Sequence, residues 1–460
     1  MFGGVTKAGW ATILATGGLM LGSSISAQAA DLGGDCCADL EERVAELEAT
    51  TARKGNRKVK LSVYGKINQG VMFWDDGQEQ NAYVVTNDAS RSRFGFKGGA
   101  KINSDLSANF RLEIGVRSAN SKRNNQNDAI NEDESGFDIR HAWWNIKSKK
   151  YGTIQVGHTP TASQEITEIN LAGTSDAGKY SDVEDSGGGF LLVARGGVAP
   201  TSGTNTQWRR LIARTGAAPG EGDRREAILY ETPEFGGFTA SAAWGGDDFW
   251  DVGLRFEKEV GEFEIEAGIA YASITDRVDD GATHGCPVRD GTASDSKCQM
   301  LGGSISVMHK KSGLYGNFAA GQMWDDLAGI GGAVSGNVTL QAGLKDTYTF
   351  WAGEAGIQQK WNSLGKTTFF GQYYSYDGGA ITQGVHSSLE TLAGDTVIAS
   401  SGVDMWGLGI MQKIDAADMK LYALFRNYEF DMTVTNGTTT AASRPLEDFQ
   451  VLMTGAAINF

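Results

Sequence analysis

Arg93–Arg117 reads RFGFKGGAKINSDLSANFRLEIGVR, and its two-residue period decides the fold. Phe94, Phe96, Ala100 and Ile102 oppose Arg93, Lys97 and Lys101. After Asn103-Ser104, Leu106, Ala108, Phe110, Leu112, Ile114 and Val116 oppose Ser107, Asn109, Arg111, Glu113 and Arg117. Successive side chains of a strand point to opposite faces, so each run has one apolar and one polar face. Two such runs around a short turn make an antiparallel hairpin. The pattern recurs upstream, where Val59, Leu61, Val63, Ile67, Val71 and Phe73 oppose Lys60, Ser62, Lys66, Asn68 and Gly70. It recurs downstream, where Phe263, Ile265, Ala267, Ile269 and Tyr271 oppose Glu264 and Glu266.

Outward from this hairpin the chain divides into sixteen such segments, the first near 59–74 and the last near 447–460. Short connections at Asn103-Ser104, Ser148–Tyr151, Pro233–Phe235, Val260-Gly261, Lys311-Ser312, Asn362–Gly365 and Asp415–Ala417 carry turn residues. They alternate with long ones at 75–90, 119–136, 161–223, 275–298, 325–348, 378–401 and 431–446, and Gly246–Asp248 alone breaks the rule. Short turns at one end and long loops at the other mark an outer-membrane barrel; a soluble sandwich has no reason to sort its loops. Two segments are not clean. Trp143 and Trp144 are adjacent in 137–148, and Phe369, Phe370, Tyr373 and Tyr374 fall on both faces of 366–377, as girdle positions or bulges would give. The expected fold is all-β, a 16-stranded antiparallel transmembrane β-barrel over 59–460. Closure removes the free edges that an open sheet exposes.

Gly contributes 63 of 460 residues, Pro only 6, and aromatics 10%, which suits strands and tight turns better than a helix bundle. Lys7, the short apolar run Ala8–Leu21 and the small-x-small Ala27-Gln28-Ala29 read as a secretory signal over 1–29, cleaved after Ala29. That run is shorter than the ~20 apolar residues a spanning helix needs, and no later run is long enough, so a helical inner-membrane protein is excluded. The net charge of −15 becomes one unit more negative when Lys7 leaves with the signal, which argues against a nucleic-acid partner.

Residues 30–58 read as a short periplasmic helix. Cys37, Leu40, Val44, Leu47 and Thr51 step along an a/d seam, with Glu41, Glu42, Arg43, Glu46 and Glu48 outside it. Two heptads fit either a trimeric coiled-coil stalk on a barrel that already associates or a solvated amphipathic helix. Four cysteines in an exported chain suggest oxidised pairs. Cys286 and Cys298 could close a 13-residue loop, and the adjacent Cys36 and Cys37 fit a bond between chains at least as well as one within a chain.

Several stretches resemble the porins of alphaproteobacteria, particularly the rhizobial type. Asp35–Lys58 (DCCADLEERVAELEATTARKGNRK) is similar to their periplasmic leader, and Ser92–Glu113 to the second-and-third-strand hairpin. His141–Thr159 (HAWWNIKSKKYGTIQVGHT) resembles the hairpin leading into the constriction loop, and Tyr230–Phe238 (YETPEFGGF) a periplasmic turn. Terminal Phe460 matches the aromatic end that such chains present to the outer-membrane assembly machinery. The likeness covers essentially the whole mature chain, and the order and spacing of the stretches carry it. It implies a homotrimer of barrels in the outer membrane, surrounded by lipid and lipopolysaccharide, passing ions and small hydrophilic solutes by passive diffusion. It also implies that the third long loop, here Pro160–Asp223, folds inward to narrow the pore.

A pore screens solutes by width and by fixed charge. On the alternation above, Lys66, Arg93 and Arg111 point inward from three consecutive strands, Arg140 adds to them from the fourth, and the long loop supplies Asp176, Asp182, Glu184 and Asp185. A basic wall facing an acidic loop across the narrowest point would set up a transverse field; alternatively the acids are merely solvated. Arg209, Arg210, Arg224 and Arg225, at the loop's far end, would meet anionic lipid or solvent. The mature charge leans toward cations while the inward Lys and Arg pull the other way. Charge at the constriction should outweigh net charge, because low-dielectric walls focus it.

An enzyme fits poorly. His141, His158, His284, His309 and His386 form no H-E-x-x-H pair, no G-x-S-x-G turn precedes a helix, and no cofactor is expected. Asp247-Asp248, Asp279-Asp280 and Asp325-Asp326 could hold calcium beside lipopolysaccharide phosphates, or be ordinary solvated loop residues. Two rivals to an open diffusion pore stand: a substrate-specific channel, which calls for a line of aromatics along the pore or a plug domain, and a surface β-protein that forms no pore.

Overall fold

The computed structural model describes residues 59–131, 136–197, 206–213, 218–246, 248–275, 297–331, 334–335 and 338–460. The signal segment, the 30–58 helix, Cys36, Cys37, Cys286, Asp247 and Asp279-Asp280 lie outside the described residues. Strands β1 to β8 are Lys60–Asp75, Arg93–Lys101, Leu106–Arg117, Gly136–Ser148, Gly152–Thr159, Arg225–Glu231, Phe238–Gly245 and Trp250–Val260. Strands β9 to β16 are Phe263–Ile274, Cys298–His309, Leu314–Asp325, Thr347–Gln359, Thr367–Gly378, Val397–Ile414, Met419–Thr435 and Phe449–Asn459. Each pairs antiparallel with its sequence neighbour. The last strand returns to the first, from Lys66↔Asn459 to Asp75↔Gln450, and closes the barrel. Phe460 and Gly65 then exchange backbone hydrogen bonds at 2.9 and 3.0 Å, which carry the seam one step further. Closure satisfies the strand backbone without water, as a bilayer requires. The connections sort as the sequence predicts, with 246–249 the exception.

The two faces of the wall differ as the alternation demands. Leu61 and Val63 are 61% and 63% exposed, and Ile139, Trp144, Ile154, Ile269, Phe318 and Leu408 join them on the outer face. Such a belt would be a liability in water and is matched to hydrocarbon. Tyr151, Phe235, Phe238, Phe263 and Trp361 are exposed at or beside the short turns, where interfacial girdles form. The two unclean segments resolve differently. In β13 the alternation is regular, with Phe369 and Tyr373 exposed and Phe370, Tyr374 and Tyr376 buried. In β4 there is a bulge: Glu113 pairs with His141 and Ile114 with Ile139, so Arg140 is the extra residue. Arg140 and His141 both reach Glu113 from this bulge, which is why the phase of that strand cannot be read from one end.

The barrel is not hollow. The connection from β5 to β6 crosses its interior, and a hydrophobic core forms between this loop and part of the wall. Tyr180, Val183, Phe190, Trp208 and Leu211 from the loop pack with Trp74, Tyr374, Tyr428 and Phe449 from the strands. Trp208 lies 4.7 Å from Tyr428, and Phe190 4.8 Å from both Trp74 and Phe449, between ring centroids. Elsewhere the loop backbone lies directly on the wall. A Cβ on Gly302 or Gly321 would overlap Pro219–Gly220, so these strand positions need glycine for close approach. Cys298, buried at the start of β10, is disulfide-bonded.

Candidate functional site: a constriction inside the barrel

Inward-facing polar side chains on one side of the barrel fasten the loop. Ser163 donates its amide and hydroxyl to Asp251 on β8 at 2.7 and 2.6 Å. Ser304 on β10 donates to the Ile166 carbonyl at 2.6 Å, and Thr174 donates to Glu354 on β12 at 2.7 Å. Gln372 on β13 donates to the Gly178 carbonyl at 3.0 Å, and Ser401 on β14 to that of Leu211 at 2.8 Å. From β15, Tyr428 donates to the Val183 carbonyl at 2.8 Å. Arg426, almost wholly buried, bonds to the carbonyls of Lys179 and Val183, to Ser186 and to Gln372. These are mostly neutral or charge-assisted bonds to a loop backbone whose polar groups would otherwise be orphaned in the core.

Charged pairs pin the loop elsewhere. Asp176 is held by Lys66 of β1 at 2.5 Å and Lys420 of β15 at 2.7 Å. Burial opposes its ionisation, and Lys420 with Lys66 outweighs that, holding the Asp176 carboxyl down at about 2. Lys122, from the connection after β3, meets Glu184 at 3.0 Å and Asp185 at 3.1 Å. Within the loop, Lys179 meets Glu168 at 2.6 Å and Asp182 at 2.9 Å. Glu168, Asp182 and Glu221 converge there closely enough for the burial and mutual repulsion to show: Glu168 is pushed well up and Glu221 to about 7. Glu184 is pushed up to about 8 by burial, with Lys122 opposing and Asp182 adding to the rise.

Two water-accessible cavities border the β1–β4 side. The first, about 620 Å³, runs between the loop and the wall. Arg91, Arg93, Arg117 and Arg140 line it from the wall and its connections, together with Asp88 and Lys122, and Glu165, Glu168, Asp182, Asp185 and Glu221 line it from the loop, together with Lys179, Arg209, Arg210 and Arg224. The second, about 710 Å³, lies nearer the short-turn end and is bordered by Lys60, Tyr64, Lys66, Lys97, Arg111 and Trp143. A knot separates the two. Glu113, 1% exposed, accepts from Arg111 at 2.5 Å, Arg140 at 2.9 Å and the Tyr64 hydroxyl at 2.9 Å, with Arg93 at 3.9 Å. Tyr64 in turn accepts from Arg111 at 2.6 Å. Its ring crosses β2 over Gly95, where a Cβ would lie 2.8 Å from the Tyr64 hydroxyl.

The residues expected to form the constriction are thus distributed among different tasks. Arg93 and Arg140 border the gap opposite Asp182 and Asp185. Lys66 and Asp176 touch each other directly, Glu184 is fully buried beneath Lys122, and Arg111 borders the lower cavity. Arg209, Arg210 and Arg224 line the upper cavity rather than the outer surface, and Arg225 is buried. Sequence reasoning passed over Glu113, Lys122, Lys179, Lys420 and Arg426. The alternation carried a signal for three of them, since Glu113 shares the polar face of β3 with Arg111, and Lys420, Tyr422, Leu424, Arg426 and Tyr428 share one face of β15. Asp325 is fully buried at the end of β11 and Asp326 opens a short helix.

A closed antiparallel barrel with an apolar outer belt and a loop folded into its interior has the architecture of a membrane-spanning pore. A family profile described as Gram-negative porin matches residues 13–443, and the chain belongs to that family. It is an outer-membrane protein forming a passive diffusion channel. Among solved structures it is similar to OprB of Pseudomonas putida, at 10% identity over 89% of this chain and 96% of that one, with a TM-score of 0.49. It is also similar to the trimer form of OmpT of Vibrio cholerae, at 12% identity over 87% and 99%, TM-score 0.48. OmpF of Salmonella typhi, in a complex with daunomycin, matches at 14% identity over 88% and 99%, TM-score 0.46. A search of curated proteins gives no match.

Proposed function

We propose that the bore of this porin is set by the gap between the internal loop and the β1–β4 wall. Arginines 91, 93, 117 and 140 form its basic side, and Glu165, Glu168, Asp182, Asp185 and Glu221 its acidic side. The observation that carries this reading is the lining of the gap, where Arg93 and Arg140 of the wall and the flanking Arg91 and Arg117 share one cavity with the loop acids, while bonds to β8–β16, to β1 and to the connections after β1 and β3 hold the loop in place. Opposed charges across a low-dielectric gap act on dipolar and charged solutes more strongly than they would in bulk water. The pore acts by screening rather than by catalysis.

A substrate-specific channel is less well supported. The aromatic cluster around Trp74, Phe190, Trp208 and Tyr428 is sealed beneath the loop and offers no aromatic track to a solute. Homotrimeric assembly, lipopolysaccharide contacts, recognition of Phe460 by the assembly machinery and a rhizobial-type origin belong to this reading through the resemblance of the sequence, and a Cys286–Cys298 pairing through the cysteine spacing of an exported chain. Recording in planar bilayers with neutral polymers of graded size tests the bore. The expected result is ohmic current with a polymer cut-off that widens when Arg426→Ala loosens the loop; a cut-off indifferent to that substitution counts against the assignment.

A further inference from the structure

The lower cavity is unlike the upper one in the balance of its charges. In the upper gap most cations have an acidic partner: Arg91 meets Asp88 and Asp138, Arg224 meets Glu165, Lys122 meets two loop acids and Lys179 three. The lower cavity is bordered by five cations, Lys60, Lys66, Arg93, Lys97 and Arg111, and among its described lining residues no Asp or Glu. Lys66 shares the carboxylate of Asp176 with Lys420. Arg93, Arg111 and Arg140 share the single carboxylate of Glu113, which leaves that knot with excess positive charge. Lys60 and Lys97 have no acidic partner among the described residues. Lys97 lies 5.1 Å from the centroid of the Tyr64 ring, with Arg111 at 5.3 Å.

Strand register places these groups deliberately. One row runs across four strands as Ser62↔Lys97↔Arg111↔Trp143, and Lys60 sits one row beyond Ser62 on the same face of β1. Directly opposed like charges such as Lys97 and Arg111 destabilise a sheet. A row that sets two cations side by side, without a carboxylate between them, is a local conflict of the kind retained at functional sites. Water-filled space of about 710 Å³ in front of it is large enough for a small organic anion.

We propose that this cavity is a binding subsite for small multivalent oxyanions, carboxylate or phosphate, and that it biases the pore toward anions although the chain carries a net charge of −15. The oxyanion spans Lys60, Lys97 and the outer edge of Arg111, with the Trp143 side chain bordering the space. The local field governs selectivity because the walls focus it at the passage, while acids on outer loops are screened beyond roughly 10 Å. This inference rests on the diffusion-channel reading and goes beyond it.

Bilayer recordings of the full chain in a KCl gradient, with citrate or inorganic phosphate then added on either side, test it. The expected result is a reversal potential showing chloride preference, and partial block by citrate, by phosphate, or by both, with the two probes separating carboxylate from phosphate recognition. Lys97→Glu should lower the chloride-to-potassium permeability ratio by about threefold or more, as expected for reversing a charge a few ångströms from the path. The Lys60→Gln, Lys97→Gln pair should abolish block, and Lys97→Arg should keep it. Potassium preference in the unaltered protein, no block by either probe, or block unchanged in the double glutamine variant overturns the proposal while leaving the porin reading intact. A folded, heat-modifiable barrel that passes no current would instead overturn the porin reading.

Discussion

The two halves of the barrel interior meet the same loop in opposite ways. Along β8–β16 the wall offers serines, tyrosines, Gln372 and Arg426 to the loop backbone, and Glu354 and aromatic rings to its side chains. Along β2–β4 and the short-turn end of β1 it lines the two cavities with Arg93, Arg111, Arg140, Lys97 and Lys60, whereas Asn68 and Trp74, further along β1, still hold the loop. One half is a protein core built inside a membrane protein; the other is the lining of a passage. Burial drives the first, since apolar area withdrawn from water stabilises at about 25 cal/mol per Å². Charge governs the second, where each ion kept hydrated in the passage avoids a desolvation cost of several kcal/mol.

The sharpest way to break the contrast is Arg426→Ala. It removes the Lys179 carbonyl's guanidinium donor, leaves the Val183 carbonyl with Tyr428 alone, and opens a void, for an expected loss of about 3–4 kcal/mol of loop docking. Protease cleavage within 160–224 and current noise should both rise, while the barrel stays heat-modifiable. Glu113→Gln should cost about 3 kcal/mol, because three guanidiniums lose the buried charge they share. Lower thermal stability together with stronger chloride preference would confirm that Glu113 holds the knot; an unchanged melting temperature would show that solvent already screens it. Asp176→Asn should cost less, about 1–2 kcal/mol, since Lys66 and Lys420 are 14% and 23% exposed and water can take over part of the pairing.

A smaller effect concerns pH. Glu184 titrates at about 8 in the docked loop and in the ordinary carboxyl range once released, so the docked form holds its proton more tightly. Its contribution to docking is full below the ordinary carboxyl range, declines as pH rises, and is gone above about 8. Asp176 works the other way: held down at about 2, it favours docking above the ordinary carboxyl value and loses that contribution as pH falls toward 2. Loop protection against protease should therefore weaken on both sides of a maximum. In Asp176→Asn the acid limb should flatten while the alkaline limb remains.

How much of this was legible in the sequence follows from the range of each interaction. Alternation and turn residues are local, so the strands, the sorting of loops and the inward direction of Lys66, Arg93 and Arg111 could be read directly. The bulge at Arg140 could not, because one inserted residue flips the phase without any mark in composition. Pairing was also hidden. Lys66 meets Asp176 across 110 residues, and Arg426 reaches the Lys179 carbonyl across 247, separations set by the loop's path rather than by any local pattern. An interior expected to be polar proved half apolar, because a loop carrying Phe190, Trp208 and Leu211 brings its own core with it.

The most direct measurement is thiol accessibility on the two halves. Ser62→Cys, on the β1 wall of the lower cavity, and Ser401→Cys, on β14 beneath the loop, would each be exposed to a charged methanethiosulfonate during bilayer recording, with the unsubstituted chain as control. The account predicts that modification at 62 lowers conductance stepwise and that 401 does not react. Rapid reaction at 401 with silence at 62 would contradict it, and would place the passage on the other side of the loop.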